Sequence, residues 1–200
     1  ELESKRLVFR EIVISDAKDL FYIRSNDDVM RFMDVTRFKS IKDAEKMIGS
    51  IEESYQKESG INWGIVEKHS NIFVGYFGFF RLIPEHCRAE IGYALNAKYW
   101  GKGYMNETIK KMVRFGFKIM KLHSIEANVN PKNEKSKNVL EKIGFKKIEF
   151  TETDPREAFT GVQTSTAAAG GNEGLWSGFP TWLSEVDGQR VAIGLPTTNK

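Results

Sequence analysis

The chain has 200 residues, 40% of them hydrophobic and 28% charged, which supports one compact domain with a real core and excludes disorder throughout. No apolar run approaches the roughly 18 residues of a membrane helix, and no segment reads as a signal peptide. The net charge is only +3, but residues 1–150 carry 27 basic and 21 acidic side chains, a body that suits a phosphate-bearing ligand and is too weakly basic to indicate nucleic acid.

Cys87 is the only cysteine, so no disulfide within the chain and no zinc spacing exist. No metal is expected, and a reducing, cytoplasmic setting is the default. The chain opens on Glu1 rather than methionine, so a few leading residues are expected to be missing.

Residues 6–12 alternate apolar and polar and read as a first strand, with Leu7 and Phe9 on one face and Val8 and Arg10 on the other. Ser15 and Asp16 offer an N-cap for a helix over 17–24, and Asp27 begins a short helical piece. Ser40 followed by Asp43 resembles a capping box opening a helix whose inward stripe is Ala44, Met47, Ile48, Ile51 and Tyr55. Residues 61–67 and 72–82 form a hairpin, in which Gly75 and Gly78 predict a bulge or a close backbone approach.

A strand over 88–95 leads through 96–100 into a long helix over 103–120, whose stripe is Met105, Ile109, Met112, Val113, Gly116 and Met120. A further strand covers 123–129, then a helix over 133–143 is capped by Gly144, and a strand returns over 145–150.

From Thr151 the character changes: after Lys147 the only lysine is Lys200, and residues 164–174 are small and flexible in composition. The division expected is a domain over 1–150 and an atypical segment over 151–200. Asp187-Gly188 inside residues 182–195 signals a hairpin. That segment reads three ways: a loop with a closing hairpin, a loose tail, or sequence foreign to the domain.

Two motifs carry chemistry. Trp100-Gly101-Lys102-Gly103-Tyr104-Met105 lies between a strand and a helix. Its glycines remove Cβ atoms that would block a ligand, and the unpaired N–H groups at the helix start, with the helix dipole, suit a pyrophosphate. Many such loops merely turn the chain, and this one is neither a dinucleotide fingerprint nor a Walker loop. In the second, Asn133 and Ser136 share one side of a helix's first turn. Asn133 can bond an amide-rich ligand and Ser136 can protonate a departing anion; equally, the pair can be a plain helix cap.

The order of these motifs resembles the GNAT superfamily of acyl-CoA-dependent N-acetyltransferases, and within it the RimJ/RimL-like branch. The resemblance covers roughly residues 4–150. It rests on Arg6-Leu-x-x-Arg10, Asp28-Val-Met-Arg-Phe, Glu90-Ile-Gly-Tyr, Tyr99-Trp-Gly-Lys-Gly-Tyr-Met-x-Glu107, Asn133-x-x-Ser136 and Leu140-Glu-Lys-x-Gly-Phe145. It implies an α/β (α+β) fold: a mixed, mostly antiparallel sheet flanked by helices, its fourth and fifth strands splayed for acetyl-CoA. Tyr93, Ala94 and Leu95 would pair with the pantetheine, and Trp100, Gly101, Lys102, Gly103, Tyr104 and Met105 would hold the pyrophosphate. Asn133 would bond the pantetheine side, and Ser136 would protonate the leaving thiolate.

The implied reaction transfers an acetyl group to a primary amine, on a protein N-terminus or a small molecule, by direct attack in a ternary complex. Glu90 is the expected base, with a salt bridge to Arg88 or Arg10 as its bland alternative. Glu107 reads as a helix-start charge. Neither nucleic acid nor membrane is an expected partner, and a monomer or homodimer is expected. Two other readings compete: a non-catalytic acyl-CoA-binding domain, or an incomplete domain with a foreign C-terminal segment.

Overall fold

The computed structural model describes residues 2–83 and 86–147 in full, and the backbone of 181–186 and 189–191. The expectation of small, flexible chain over 164–174 lies outside the described residues, as does the Asp187-Gly188 turn.

Among the described residues nine strands form one sheet. They are β1 (Leu2–Glu3), β2 (Leu7–Arg10), β3 (Ile61–Glu67), β4 (Ile72–Ile83), β5 (Arg88–Leu95), β6 (Ser124–Asn128), β7 (Phe145–Lys147), β8 (Thr181–Val186) and β9 (Gln189–Val191). The order is β1-β2-β3-β4-β5-β6-β8-β7, and β9 pairs with β8 on the side away from β7. Every pair is antiparallel except β5 with β6. Because the two-residue β1 precedes the others, the expected fourth and fifth strands are β5 and β6.

Among the described residues five α-helices flank the sheet: α1 (Ala17–Arg24), α2 (Asp27–Met30), α3 (Ile41–Gln56), α4 (Tyr104–Lys118) and α5 (Glu134–Ile143). Strand alternation gives the sheet two apolar faces. Leu7, Phe9, Trp63, Ile65, Phe77 and Phe79 pack with Met105, Ile109, Met112 and Val113 of α4 and Leu140 of α5. Ile12, Val66, Phe73, Tyr76 and Ala94 pack with Leu20 and Ile23 of α1 and Ala44 of α3. The helix-period stripe of α4 is the one read from the sequence, although the helix ends at Lys118, before Met120.

Two local features follow from identifiable side chains. The capping box of α3 forms through Asp43, whose Oδ2 accepts from the Ser40 N–H at 2.9 Å and the Lys39 N–H at 2.8 Å. The stripe of α3, however, ends before its expected last member: Tyr55 is exposed. Tyr55 lies in the final turn, where the chain reverses: the Ser54 carbonyl accepts from the N–H groups of Ser59 (3.0 Å) and Gly60 (3.3 Å).

The bulge expected in β4 is present. Pairing of β3 with β4 shifts between Ile65/Gly75 and Val66/Phe73, leaving Val74 as the extra residue. At Gly75 a Cβ would stand 2.3 Å from the Ala94 carbonyl oxygen, so β4 and β5 approach there as only glycine permits.

Candidate active site

The strands part where the cleft begins. β5 pairs with β6 only through Arg88/Ser124, Ala89/Ile125 and Glu90/Glu126. From Ile91 onward β5 has no partner on that side among the described pairings, which is the splay expected between these strands.

Which backbone groups face the gap follows from ladder geometry. The Asn96 N–H donates to the Val74 carbonyl at 2.9 Å, and Leu95 stands opposite Gly75. Hydrogen-bonded pairs alternate along an antiparallel ladder, so Ala94, Gly92 and Glu90 turn their backbone groups to β4. Ile91, Tyr93 and Leu95 turn theirs to the gap. Of the three residues expected to meet the pantetheine, Tyr93 and Leu95 therefore present backbone to the gap and Ala94 does not. The Leu95 carbonyl already accepts from Trp100 Nε1 at 3.0 Å. That bond pins the indole against the mouth of the gap, with Lys135 Nζ 4.4 Å from its ring centroid.

The loop after β5 makes a short 3₁₀ turn at Ala97–Tyr99, capped by the Asn96 side chain, which accepts from the Lys98 N–H at 3.1 Å. Gly101 and Gly103 then take left-handed backbone, at φ +76° and +78°. Gly103 is the N-cap of α4. A Cβ on Gly101 would meet nothing within 4 Å, so this side of the loop is open to a ligand. The first N–H groups of α4 have no partner within the helix, and the helix dipole favours an anion there. Met105 turns its side chain into the core, leaving only its backbone to the loop.

Arg6 holds this loop from the bend that precedes the distant β2. Its Nη1 donates to the Lys102 carbonyl at 2.9 Å, and its Nε to Glu107 Oε2 at 2.7 Å. Glu107 Oε1 also accepts from the Arg6 N–H and the Ser4 hydroxyl, both at 2.8 Å. The guanidinium lies 4.5 Å from the Tyr104 ring centroid. Burial works to raise the Glu107 pKa, but the bonds from Arg6 and Ser4 outweigh it and hold the carboxyl below its usual range. Glu107 is thus a tether between β2 and α4, a role beyond the helix-start charge read from its position.

Asn133 and Ser136 form the helix cap that is one of the two readings of their turn. Asn133 Oδ1 accepts from the Ser136 N–H at 3.1 Å and caps α5, leaving the amide NH₂ to donate. The Ser136 hydroxyl is 2.8 Å from the Tyr93 hydroxyl. Burial pushes the Tyr93 phenol pKa well up, with the bond to Ser136 only partly offsetting it. No tyrosine occurs in the turn itself, so sequence spacing gave no hint of this pair.

Glu90 is three residues from Tyr93 and therefore on the opposite face of β5. It is 8% exposed. Neither expected salt-bridge partner meets it: Arg88 pairs with Glu126, and Arg10 with Asp16 at 2.7 Å. Its partner is Arg81, with Nη1 3.3 Å from Glu90 Oε2. Arg81 sits in the irregular end of β4, at φ 44°. Burial raises the Glu90 pKa; the Arg81 charge and a hydrogen bond with the Asn128 side chain work against that shift.

One continuous cleft of 2470 Å³ joins these parts, lined by Glu90, Tyr93, Trp100, Gly101, Gly103 and Ser136 among others.

The acetyltransferase (GNAT) domain model matches residues 6–146, the span that holds the gap, the glycine loop and the Asn133–Ser136 turn. The chain belongs to the GNAT family. It is thereby an acyl-CoA-dependent acetyltransferase. It is 39% identical over 146 residues to the "Uncharacterized N-acetyltransferase YoaA" of Bacillus subtilis, covering 73% of this chain and 82% of that one. A GNAT-family acetyltransferase from Bacillus anthracis superposes with a TM-score of 0.66 at 30% identity, over 74% of this chain and 84% of the other. Mycobacterium smegmatis RimJ, solved with CoA-disulfide, shares the fold at a TM-score of 0.66 and 20% identity, over 72% and 71% of the two chains. In this GNAT domain the glycine loop and the strand gap fall on one cleft, as a bound acyl-CoA requires.

Proposed function

We propose that the chain transfers the acetyl group of acetyl-CoA to a primary amine by direct attack, with both substrates bound at once. One observation carries this reading: Glu90 and the Ser136–Tyr93 pair stand on opposite faces of β5, beside the gap where β5 leaves β6. The amine nitrogen bonds to the thioester carbonyl carbon, the C–S bond breaks, and the thiolate takes a proton.

The chain's own groups divide that work. Gly101, Lys102, Gly103, Tyr104 and Met105 offer backbone N–H groups to the pyrophosphate, Lys102 adds its charge, and Trp100 shapes the mouth. The backbone groups of Tyr93 and Leu95 and the Asn133 amide bond the pantetheine. A backbone N–H facing the gap polarises the carbonyl. Glu90 takes the proton from the ammonium, a role that its raised pKa suits. Ser136 gives one to the thiolate. The acceptor is a protein N-terminus or a small amine, and a cytoplasmic setting fits both the cofactor and the lone Cys87.

Thiol release from acetyl-CoA, followed with a panel of amines and N-terminal peptides, tests this. Turnover that falls in Ser136→Ala supports it. An acetyl-CoA-dependent rise in melting temperature with no turnover on any amine would replace it with an acyl-CoA-binding module.

A further inference from the structure

Glu90 and Ser136 account for only part of the cleft. Arg24, the last residue of α1, lines it on the α1–α3 side of the sheet. Its Nη1 donates to the Tyr76 hydroxyl at 3.1 Å and reaches Met33 Sδ at 4.0 Å, and the guanidinium lies 5.0 Å from the Phe38 ring centroid. All three partners are neutral. The Nε atom is buried with no hydrogen-bond partner. Arg6, Arg10, Arg37, Arg81 and Arg88 each face a carboxylate, whereas none among the described residues pairs with Arg24. A guanidinium drawn into a cleft by neutral groups is costly until an anion completes it, and its planar fork matches a carboxylate or phosphate.

Its place relative to Glu90 follows from register. Tyr76 stands opposite Ala94 and Phe80 opposite Glu90, both on the same face of β4. Four residues separate Tyr76 from Phe80, roughly 13 Å of strand. The floor between them is Gly78 opposite Gly92. The surrounding rim holds further charge: Arg31, Lys39 and Lys46 line the cleft with Arg37, which Asp27 already pairs, and Asp28, Asp43 and Glu53 are its acidic members.

We infer that Arg24 is a specificity-determining residue, receiving an anionic group that the acceptor carries on the order of 10 Å from its amine. The substrate class is then an amine bearing a carboxylate or phosphate, and not a polyamine. This rests on the proposed amine transfer, which places the acceptor nitrogen beside Glu90.

Matched acceptors test it on the full chain. One arm compares free-N-terminal peptides carrying Asp or Glu at their second and third positions with their Asn and Gln counterparts. The other compares amino-alkyl carboxylates and phosphates with amino alcohols of equal length, plus spermidine. Whichever arm shows the preference identifies the source of the anion.

In the wild type the anionic member is favoured roughly tenfold to a hundredfold in kcat/KM, mostly through KM. In Arg24→Gln that ratio falls toward one, and Arg24→Lys retains part of it. Equal rates for matched pairs in the wild type would overturn the inference. So would Arg24→Gln lowering both members by one common factor, as a merely structural residue would. Calorimetric titration of the same acceptors into CoA-saturated protein separates the two readings. Arg24-dependent binding without any acetylation sinks the transfer reading alone. Acetylation without preference sinks this inference alone.

Discussion

The Tyr93 hydroxyl stands 2.8 Å from the Ser136 hydroxyl, joining β5 to the first turn of α5 beside the open strand gap. Burial keeps the phenol protonated across the working pH range. A phenol that donates to Ser136 Oγ leaves the serine's own hydrogen to point elsewhere, and the gap is where it is needed. Ser136→Ala is therefore expected to lower kcat on the order of a hundredfold. Tyr93→Phe should lower kcat about tenfold, with the KM for acetyl-CoA little changed. Added to Ser136→Ala, Tyr93→Phe should cost almost nothing more, since the phenol acts through the serine. Steady-state kinetics of the four proteins check this; additive losses would mean that the two hydroxyls work independently.

Glu90 makes a prediction about pH. Its carboxyl is raised by burial, so the acidic limb of kcat/KM should lie above the ordinary glutamate value of about 4.3. Arg81 works against that rise, so Arg81→Gln should move the limb further up, and Glu90→Gln should abolish it with most of the activity. Stability follows the same sign. A raised native pKa means that the folded form holds its proton where the unfolded chain has lost it. Glu90 thus favours folding below the ordinary carboxylate range and opposes it as pH rises through the native value. At pH 8, Glu90→Gln is expected to melt at or above the wild-type temperature while losing turnover. A variant that melts lower would show that the ion pair with Arg81 outweighs the burial cost.

These two sites show what the sequence carried and what it did not. The apolar stripe of α4 was legible because a helix repeats every 3.6 residues, and the open loop was legible because Gly101 and Gly103 flank Lys102 at a helix start. Strand alternation assigned Leu7 and Phe9 to one face correctly. Alternation gives a face and never a partner, however. For Glu90, read as a base, the structural alternative named Arg88 or Arg10 as partner, because nothing in the sequence shows that β4 turns irregular after Phe80 and brings Arg81 across. Tyr93 with Ser136, and Arg6 with Glu107, join residues 43 and 101 positions apart. Such pairs are fixed by sheet register, which depends on bulges and strand order. Tyr55 differs for a local reason: periodicity continues the stripe to the helix end, whereas the chain reverses at Ser59 and Gly60 and leaves Tyr55 exposed.

The Arg6–Glu107 tether should couple stability to cofactor affinity. Glu107→Gln removes the charge from bonds to Arg6 and Ser4 and is expected to cost about 1–3 kcal/mol at pH 7. Because the native pKa of Glu107 is lowered, its contribution is present above the ordinary glutamate range and is lost as pH falls through the native value. The gap between wild type and variant in denaturant unfolding should accordingly narrow toward pH 3. Arg6→Lys should behave almost as badly as Arg6→Ala, since a lysine cannot bond both the Lys102 carbonyl and Glu107. Both should raise the KM for acetyl-CoA more than they lower kcat if the loop they hold binds the cofactor's pyrophosphate as proposed.

Two glycines, Gly75 where β4 meets β5 and Gly101 in the loop after β5, should fail in opposite ways when a side chain is added. A Cβ on Gly75 would stand 2.3 Å from the Ala94 carbonyl and 3.1 Å from Leu95 Cα, both backbone atoms of β5. Gly75→Ala must therefore move β5, and several kcal/mol of stability should go with it. At Gly101 a Cβ meets nothing, so only the left-handed backbone is strained, costing roughly 1–2 kcal/mol. The methyl would still occupy the side of the loop left open for the phosphates, so Gly101→Ala should raise the KM for acetyl-CoA well beyond its effect on melting. Gly101→Asn separates the two causes, because asparagine tolerates left-handed backbone. It should melt closer to the wild type than Gly101→Ala while its KM stays high. A KM restored along with stability would mean that the loop's conformation, and not its bare surface, is what the cofactor requires.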